Sequence, residues 1–144
     1  MKKLLLLIFL AVTINLIGCT NAQSPNAASG NNKVKIMVYY FHGTHRCPGC
    51  IAGEDVTVKS LNSLYKEKMD LGIIQFQSIN LDEEKNKALA EKYQISWSSL
   101  LIVKQSNGKE EKVDLTEQSF SFARTDPGKL KTIIQLTIDK MLNG

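Results

Sequence analysis

From residue 33 to the end of the chain, apolar positions switch repeatedly between the period of a strand and that of a helix. "KVKIMVYYF", residues 33 to 41, is apolar throughout from Ile36 onward and rich in β-branched and aromatic residues, which predicts a strand buried on both faces of a sheet. After a stretch with Gly43, Pro48 and Gly49, the residues Ile51, Val58, Leu61, Leu64 and Tyr65 recur at helical spacing, with Lys59, Lys66, Glu67 and Lys68 between them. "GIIQFQSINLD" alternates Ile74 and Phe76 with Gln75 and Gln77, the period of a second strand. Asp82 is placed to cap a helix over "EEKNKALAEKY", supported by Glu83 and Lys87 four apart. "SLLIVKQSNGKEEKVDL" predicts a hairpin about Asn107-Gly108. Asp126-Pro127 then opens a last helix with the stripe Leu130, Ile133, Ile134, Ile138 and Met141. "TEQSFSFARTD" between them predicts no element.

The order strand, helix, strand, helix, hairpin, helix implies an α/β domain. Its sheet is mixed, because strand-helix-strand units pair in parallel and the hairpin adds antiparallel strands, with helices on both faces.

The N-terminal segment has a different pattern. Lys2 and Lys3 precede an unbroken apolar run from Leu4 to Val12, the length of a signal-peptide core and too short to span a bilayer. Leu16, Ile17, Gly18 and Cys19 resemble a bacterial lipobox, in which the cysteine is acylated and becomes the new N-terminus. Residues 1–18 are therefore expected to be a lipoprotein signal peptide. Residues 19–32, "CTNAQSPNAASGNN", are expected to form a lipidated flexible tether, and residues 33–144 a single domain. This places the protein on the membrane of a bacterial cell envelope, facing the periplasm or the surface. Loss of Lys2 and Lys3 lowers the formal charge of +4 by two, which is no nucleic-acid footprint.

The chain has three cysteines, and lipidation of Cys19 leaves Cys47 and Cys50 as a pair. They lie in "FHGTHRCPGC", residues 41 to 50. A cysteine that starts a helix has its thiolate stabilised by unpaired backbone N–H groups and the helix dipole. Arg46 and His45 add positive charge beside it. Cys47 is then the attacking thiol, and Cys50, almost one turn deeper, the resolving one. Glu54, a turn beyond Cys50, reads as a solvated carboxylate or as a proton carrier that modulates the pair. Two alternatives stay open. One is a soft-metal or metalloid site of His42, His45, Cys47 and Cys50. The other is an inert staple, although so short a loop removes little entropy from the unfolded chain. Haem attachment needs a histidine where Ile51 stands.

A buried strand leading into Cys47-Pro48-Gly49-Cys50, followed by "INLDEEKNKALAEKYQIS" and "LLIVKQSNGKE", resembles the thioredoxin superfamily. More narrowly, "YYFHGTHRCPGC" is similar to a bacterial exported thioredoxin-like group named nitrophenyl compound nitroreductase subunit. The resemblance implies a thioredoxin-like three-layer α/β/α sandwich and thiol-disulfide exchange with a protein dithiol or disulfide partner in the envelope. Nothing in the sequence reads as a flavin or nicotinamide site, so no cofactor is expected, and the chain is expected to be a monomer. An accessory subunit passing electrons to another enzyme is the alternative role. The chain departs from the thioredoxin pattern at three places: Arg46 replaces tryptophan, "VYYF" lacks an acidic residue, and Ser98 or Ser99 stands where that family has a cis-proline. A cis bond there would cost about 2.5–4 kcal/mol without proline, which leaves a trans peptide open. Trp97 beside it reads as a packing residue, with a docking groove as the alternative.

Overall fold

The structure, a computed structural model, describes residues 34–144. The expected signal peptide, Cys19 and the expected tether lie outside the described residues. The elements are β1 (Lys35–His42), α1 (Pro48–Asp70), β2 (Ile74–Asn80), a 3-10 turn (Glu84–Asn86) leading into α2 (Lys87–Tyr93), β3 (Ser99–Ser106), β4 (Lys109–Asp114), α3 (Thr116–Phe122) and α4 (Pro127–Asn143).

The four strands form one sheet in the order β2-β1-β3-β4. β1 runs parallel to β2 and antiparallel to β3, and β3 is antiparallel to β4. Because β1 is central, its side chains are buried on both sides, and all six residues from Ile36 to Phe41 are buried. Alternate residues feed two cores. Ile36, Val38 and Tyr40 join Leu100 and Ile102 under α1, α3 and α4, among them Leu61, Leu115, Leu130 and Ile134. Met37, Tyr39 and Phe41 join Leu101, Val103 and Tyr93 under α2. The result is a three-layer α/β/α sandwich on a mixed sheet, as the sequence implies. Among the described residues no helix is long and apolar enough to cross a membrane.

Local signals are confirmed at the hairpin turn and at the start of the last helix. Asn107 and Gly108 have φ of 52° and 73°, the left-handed conformation a two-residue hairpin turn needs at both positions. Asp126 Oδ1 accepts from the Lys129 N–H at 3.0 Å, with Pro127 opening α4.

Four expectations are corrected. The predicted α1 stripe is only half right: Leu61 and Tyr65 are buried, but Ile51 is 52 % exposed, and the first half of the helix buries Cys50, Gly53, Thr57 and Ser60 instead. Asp82 caps no helix, because its carboxylate is taken by the backbone of Thr44, 38 residues away. Glu83 pairs with Lys85 and Glu84 with Lys87, since the irregular start of this segment breaks the four-residue register. In the sequence Lys85, Lys87 and Lys92 read as a solvated helix face, but Lys92 pairs with Glu110 on β4 at 2.7 Å. α3 is an element that hydrophobic period alone does not reveal.

Candidate functional site

β1 and β3 bring the site together at one end of the sheet. Phe41 pairs with Ser99, so the loop leaving β1 and the loop entering β3 emerge side by side. The first of these loops is pinned to β2. The Thr44 N–H donates to Asp82 Oδ2 at 2.7 Å, Asn80 Nδ2 donates to Thr44 Oγ1 at 3.1 Å, and the Leu81 N–H donates to the His42 carbonyl at 2.8 Å. The Thr44 amide, with smaller contributions from the Thr44 side chain and the two histidines, holds the Asp82 carboxyl below the usual carboxylate range.

Cys47 is the N-cap of α1 and Pro48 its first helical residue. Proline suits that position because its missing N–H has no helical partner to lose. Cys47 Sγ accepts from the Cys50 N–H at 3.1 Å. The sulfur thus sits where the free amides of the first turn converge. Cys50 lies on the inner side of the same turn and is 7 % exposed, while Cys47 is exposed. The two are joined in a disulfide with Cα atoms 5.1 Å apart. The first sulfur of the pair is thus exposed and the second buried.

The charged neighbours are arranged otherwise. Arg46 does not stand free beside Cys47: its guanidinium pairs with Glu54, lies 5.9 Å from the Tyr40 ring centre, and donates to the Cys50 carbonyl at 3.3 Å. Glu54 is correspondingly no solvated carboxylate, with 17 % of its side chain exposed. Behind this pair is a buried polar cluster that the sequence does not announce. The Tyr40 hydroxyl and Ser119 Oγ meet over Gly53, where an added Cβ would come within 2.5 Å of the tyrosine oxygen and overlap the serine. Burial raises the Tyr40 hydroxyl above its ordinary pKa, while Ser119 and Arg46 pull it back. On the outer side, the Phe120 ring packs on the turn between the cysteines, 3.6 Å from the Cβ position of Gly49. Ser119 and Phe120 belong to α3. The signal for them was the spacing Leu115, Ser119, Ala123, one buried helical face made of mostly small residues.

His42 and His45 do not converge on the cysteines. The His42 ring is engaged on the β2 side, with Nε2 3.0 Å from Ser78 Oγ and Nδ1 2.9 Å from the Gly43 carbonyl. His45 is exposed in the pinned loop. Among the described residues no three His, Cys, Asp or Glu side chains gather as a metal would require. The four-ligand alternative therefore lacks its geometry, because the hydrogen bond to Ser78 draws His42 toward β2. At the second loop, no peptide bond among the described residues is cis, Ser98 and Ser99 included. Ser99 is buried, and its hydroxyl donates to the Trp97 carbonyl at 3.0 Å. Trp97 itself is 67 % exposed, so it is not the packing residue that its size suggested.

No protein-family model matches this chain, and no curated protein matches it. Among solved structures, the chain is similar to the germline-specific thioredoxin Deadhead of Drosophila melanogaster, at 24 % identity and a TM-score of 0.42 over 70 % of this chain and 79 % of that one. It is also similar to the thioredoxin of Fasciola hepatica, at 23 % identity and a TM-score of 0.38 over 62 % and 78 % of the two chains. A malarial protein matches at 23 % identity and a TM-score of 0.39, over 57 % and 82 %.

Proposed function

We propose that this protein is a thiol-disulfide oxidoreductase of the bacterial cell envelope, anchored through a lipid on Cys19 and acting on cysteine-bearing proteins there. The observation that carries the redox reading is the asymmetry of the pair, with Cys47 exposed at the helix N-cap and Cys50 buried behind it in the same disulfide. In the reducing direction, the Cys47 thiolate attacks a partner disulfide, forming a mixed disulfide and releasing one partner thiolate, which takes up a proton. Cys50 then gives up its proton and attacks Cys47 Sγ. The second partner sulfur leaves and is protonated, and the Cys47–Cys50 disulfide closes. Two electrons pass to the partner, and the reverse sequence oxidises a dithiol.

The anchor rests on the sequence of residues 16–19 alone. Labelled fatty acid fed to cells is expected on the wild-type chain and not on Cys19→Ser; label that persists on the variant removes the anchor.

The experiment for the redox role is trapping. Cys50→Ser leaves an attacking thiol without a resolving one, so it accumulates on non-reducing gels as a higher-mass species that collapses on reduction, and Cys47→Ser does not. Several trapped exported proteins support a general role. A single dominant one supports an electron-transfer subunit dedicated to another enzyme, and places the chain nearer the nitroreductase-subunit group its motif resembles. No adduct from either variant, where the wild-type pair cycles, defeats the mechanism.

A further inference from the structure

Arg46 precedes the exposed cysteine, and as a free cation it would stabilise that thiolate and make the disulfide a stronger oxidant. The structure gives it another employment. Its guanidinium reaches over the first turn of α1 to the Cys50 carbonyl, 3.3 Å away, and to the Glu54 carboxylate, with the Tyr40 ring behind it. Both charged side chains are mostly withdrawn from water, at 23 % and 17 % exposure. Arg46 Nε is buried without a hydrogen-bond partner, and Glu54 is the only carboxylate with which Arg46 forms an ion pair among the described residues. In this setting the two charges are screened less than at a surface, and a close pair of opposite charges presents a weaker field to its neighbours than either charge alone.

We infer that Glu54 is a positioning residue that masks Arg46 and so sets how strongly the Cys47 thiolate is stabilised. This rests on the oxidoreductase reading for its consequence, the redox poise, but not for its first readout, the acidity of Cys47. The masking has a sign. Glu54→Gln keeps the size and one acceptor for Arg46 but removes the negative charge, so the arginine is unmasked and the Cys47 thiol becomes more acidic. Arg46→Gln leaves the Glu54 carboxylate facing the turn unpaired, and the thiol becomes less acidic. With both changes the turn is neutral again, and Cys47 returns toward the wild type. The other charged groups of the turn, His45 in the same loop and Asp82 across from Thr44, are unchanged in all three variants.

The test uses the reduced full-length chain, with Cys47 alkylation followed peptide by peptide as a function of pH so that Cys19 and Cys50 do not confuse it. Each single variant is expected to shift the midpoint by about threefold to tenfold in acid dissociation constant, in opposite directions. The double variant should lie near the wild type. Glu54→Asp, which keeps the charge and shortens the arm, should stay close to the wild type, whereas a residue that matters only for packing would suffer there as much as with Gln. The second readout is equilibrium with glutathione. The reduced chain gives two electrons and two protons to glutathione disulfide, yielding two glutathione thiols and the closed Cys47–Cys50 disulfide. Glu54→Gln should shift this equilibrium toward the reduced chain, and Arg46→Gln toward the oxidised one. Single variants that move Cys47 in the same direction, or do not move it, overturn the inference. Opposite shifts in acidity from a chain that never equilibrates with glutathione would uphold the masking and sink the oxidoreductase reading instead.

Discussion

From Pro48 to Ser60, α1 turns Cys50, Gly53, Thr57 and Ser60 toward the sheet; from Leu61 onward it turns Leu61 and Tyr65. The first half is thus buried through small and polar side chains, the second through large ones. Thr57 and Ser60 satisfy their hydroxyls within the helix, donating to the carbonyls of Gly53 and Val56 at 2.7 Å each. Gly53 lets the helix approach the Tyr40 and Ser119 hydroxyls more closely than any Cβ would permit. Tyr65, where the helix kinks, is instead tied to α4, its hydroxyl 2.7 Å from Asp139 Oδ1 and 3.1 Å from the Gln135 carbonyl. The second half holds the helix to the body of the protein. The first half adds Ala52 and Val56 only as partly buried apolar contacts and turns small and polar side chains to the sheet. A helix divided in this way can carry a reactive turn without its core contacts depending on the redox state of that turn.

The comparison breaks if the two halves respond alike to truncation. Leu61→Ala, at a fully buried position, should cost about 2–5 kcal/mol in denaturant unfolding. Thr57→Val, which removes an already satisfied hydroxyl at constant shape, should cost less than about 1 kcal/mol. Equal losses would mean that the first half is as much core as the second. Gly53→Ala should cost about 1–3 kcal/mol by overpacking, and the loss should shrink in a Ser119→Ala background, where the nearest obstructing atom is gone. Tyr65→Phe should cost about 1–2 kcal/mol, the net worth of a hydroxyl bonded to a carboxylate, and leave Cys47 alkylation unchanged. Burial, with the Asp139 carboxylate adding to it, also raises the Tyr65 pKa above its ordinary value of 10.0, so this contribution is complete below about pH 10 and is lost only as pH rises above it.

The division of α1 also explains what could be read from the sequence. β1, the hairpin and α4 were legible because each is fixed by local chemistry: an unbroken apolar run, an Asn-Gly pair, and an Asp-Pro cap above a stripe of large residues. The first half of α1 and the whole of α3 were not, because their buried faces are built mostly from Cys, Gly, Thr, Ser and Ala, which carry almost no hydrophobic period. At the site, the exposure of Cys47 and the burial of Cys50 followed from their order at a helix start. The Arg46–Glu54 pair did not, since Arg46 precedes the helix and no helical spacing relates the two. Trp97 was misjudged for a related reason: large aromatic residues are usually buried, and only the loop geometry makes this one an exception.

The smallest expected effect sharpens the comparison at the point where the first half of α1 begins. Asp82 and Asn80 hold Thr44 from the β2 side, three residues before the exposed cysteine. The Asp82 carboxyl is held below its ordinary pKa of 3.8 chiefly by the Thr44 amide. A group whose folded pKa is depressed stabilises the fold above its unfolded pKa and loses that contribution as pH falls through the folded one. Because Asp82 is at the surface, the global stability should barely register this loss. The readout is therefore local: hydrogen exchange at the Thr44 amide, corrected for intrinsic rate, should show protection that is constant above about pH 4 and declines below it. Asp82→Asn keeps an acceptor oxygen without a titrating proton, so protection should persist and its acid limb vanish. Asp82→Ala should remove the protection at every pH while leaving exchange in the second half of α1 untouched. If exchange near Leu61 and Tyr65 rises as well, the loop and the whole helix open as one unit, and the independence of the reactive turn from its anchor is lost.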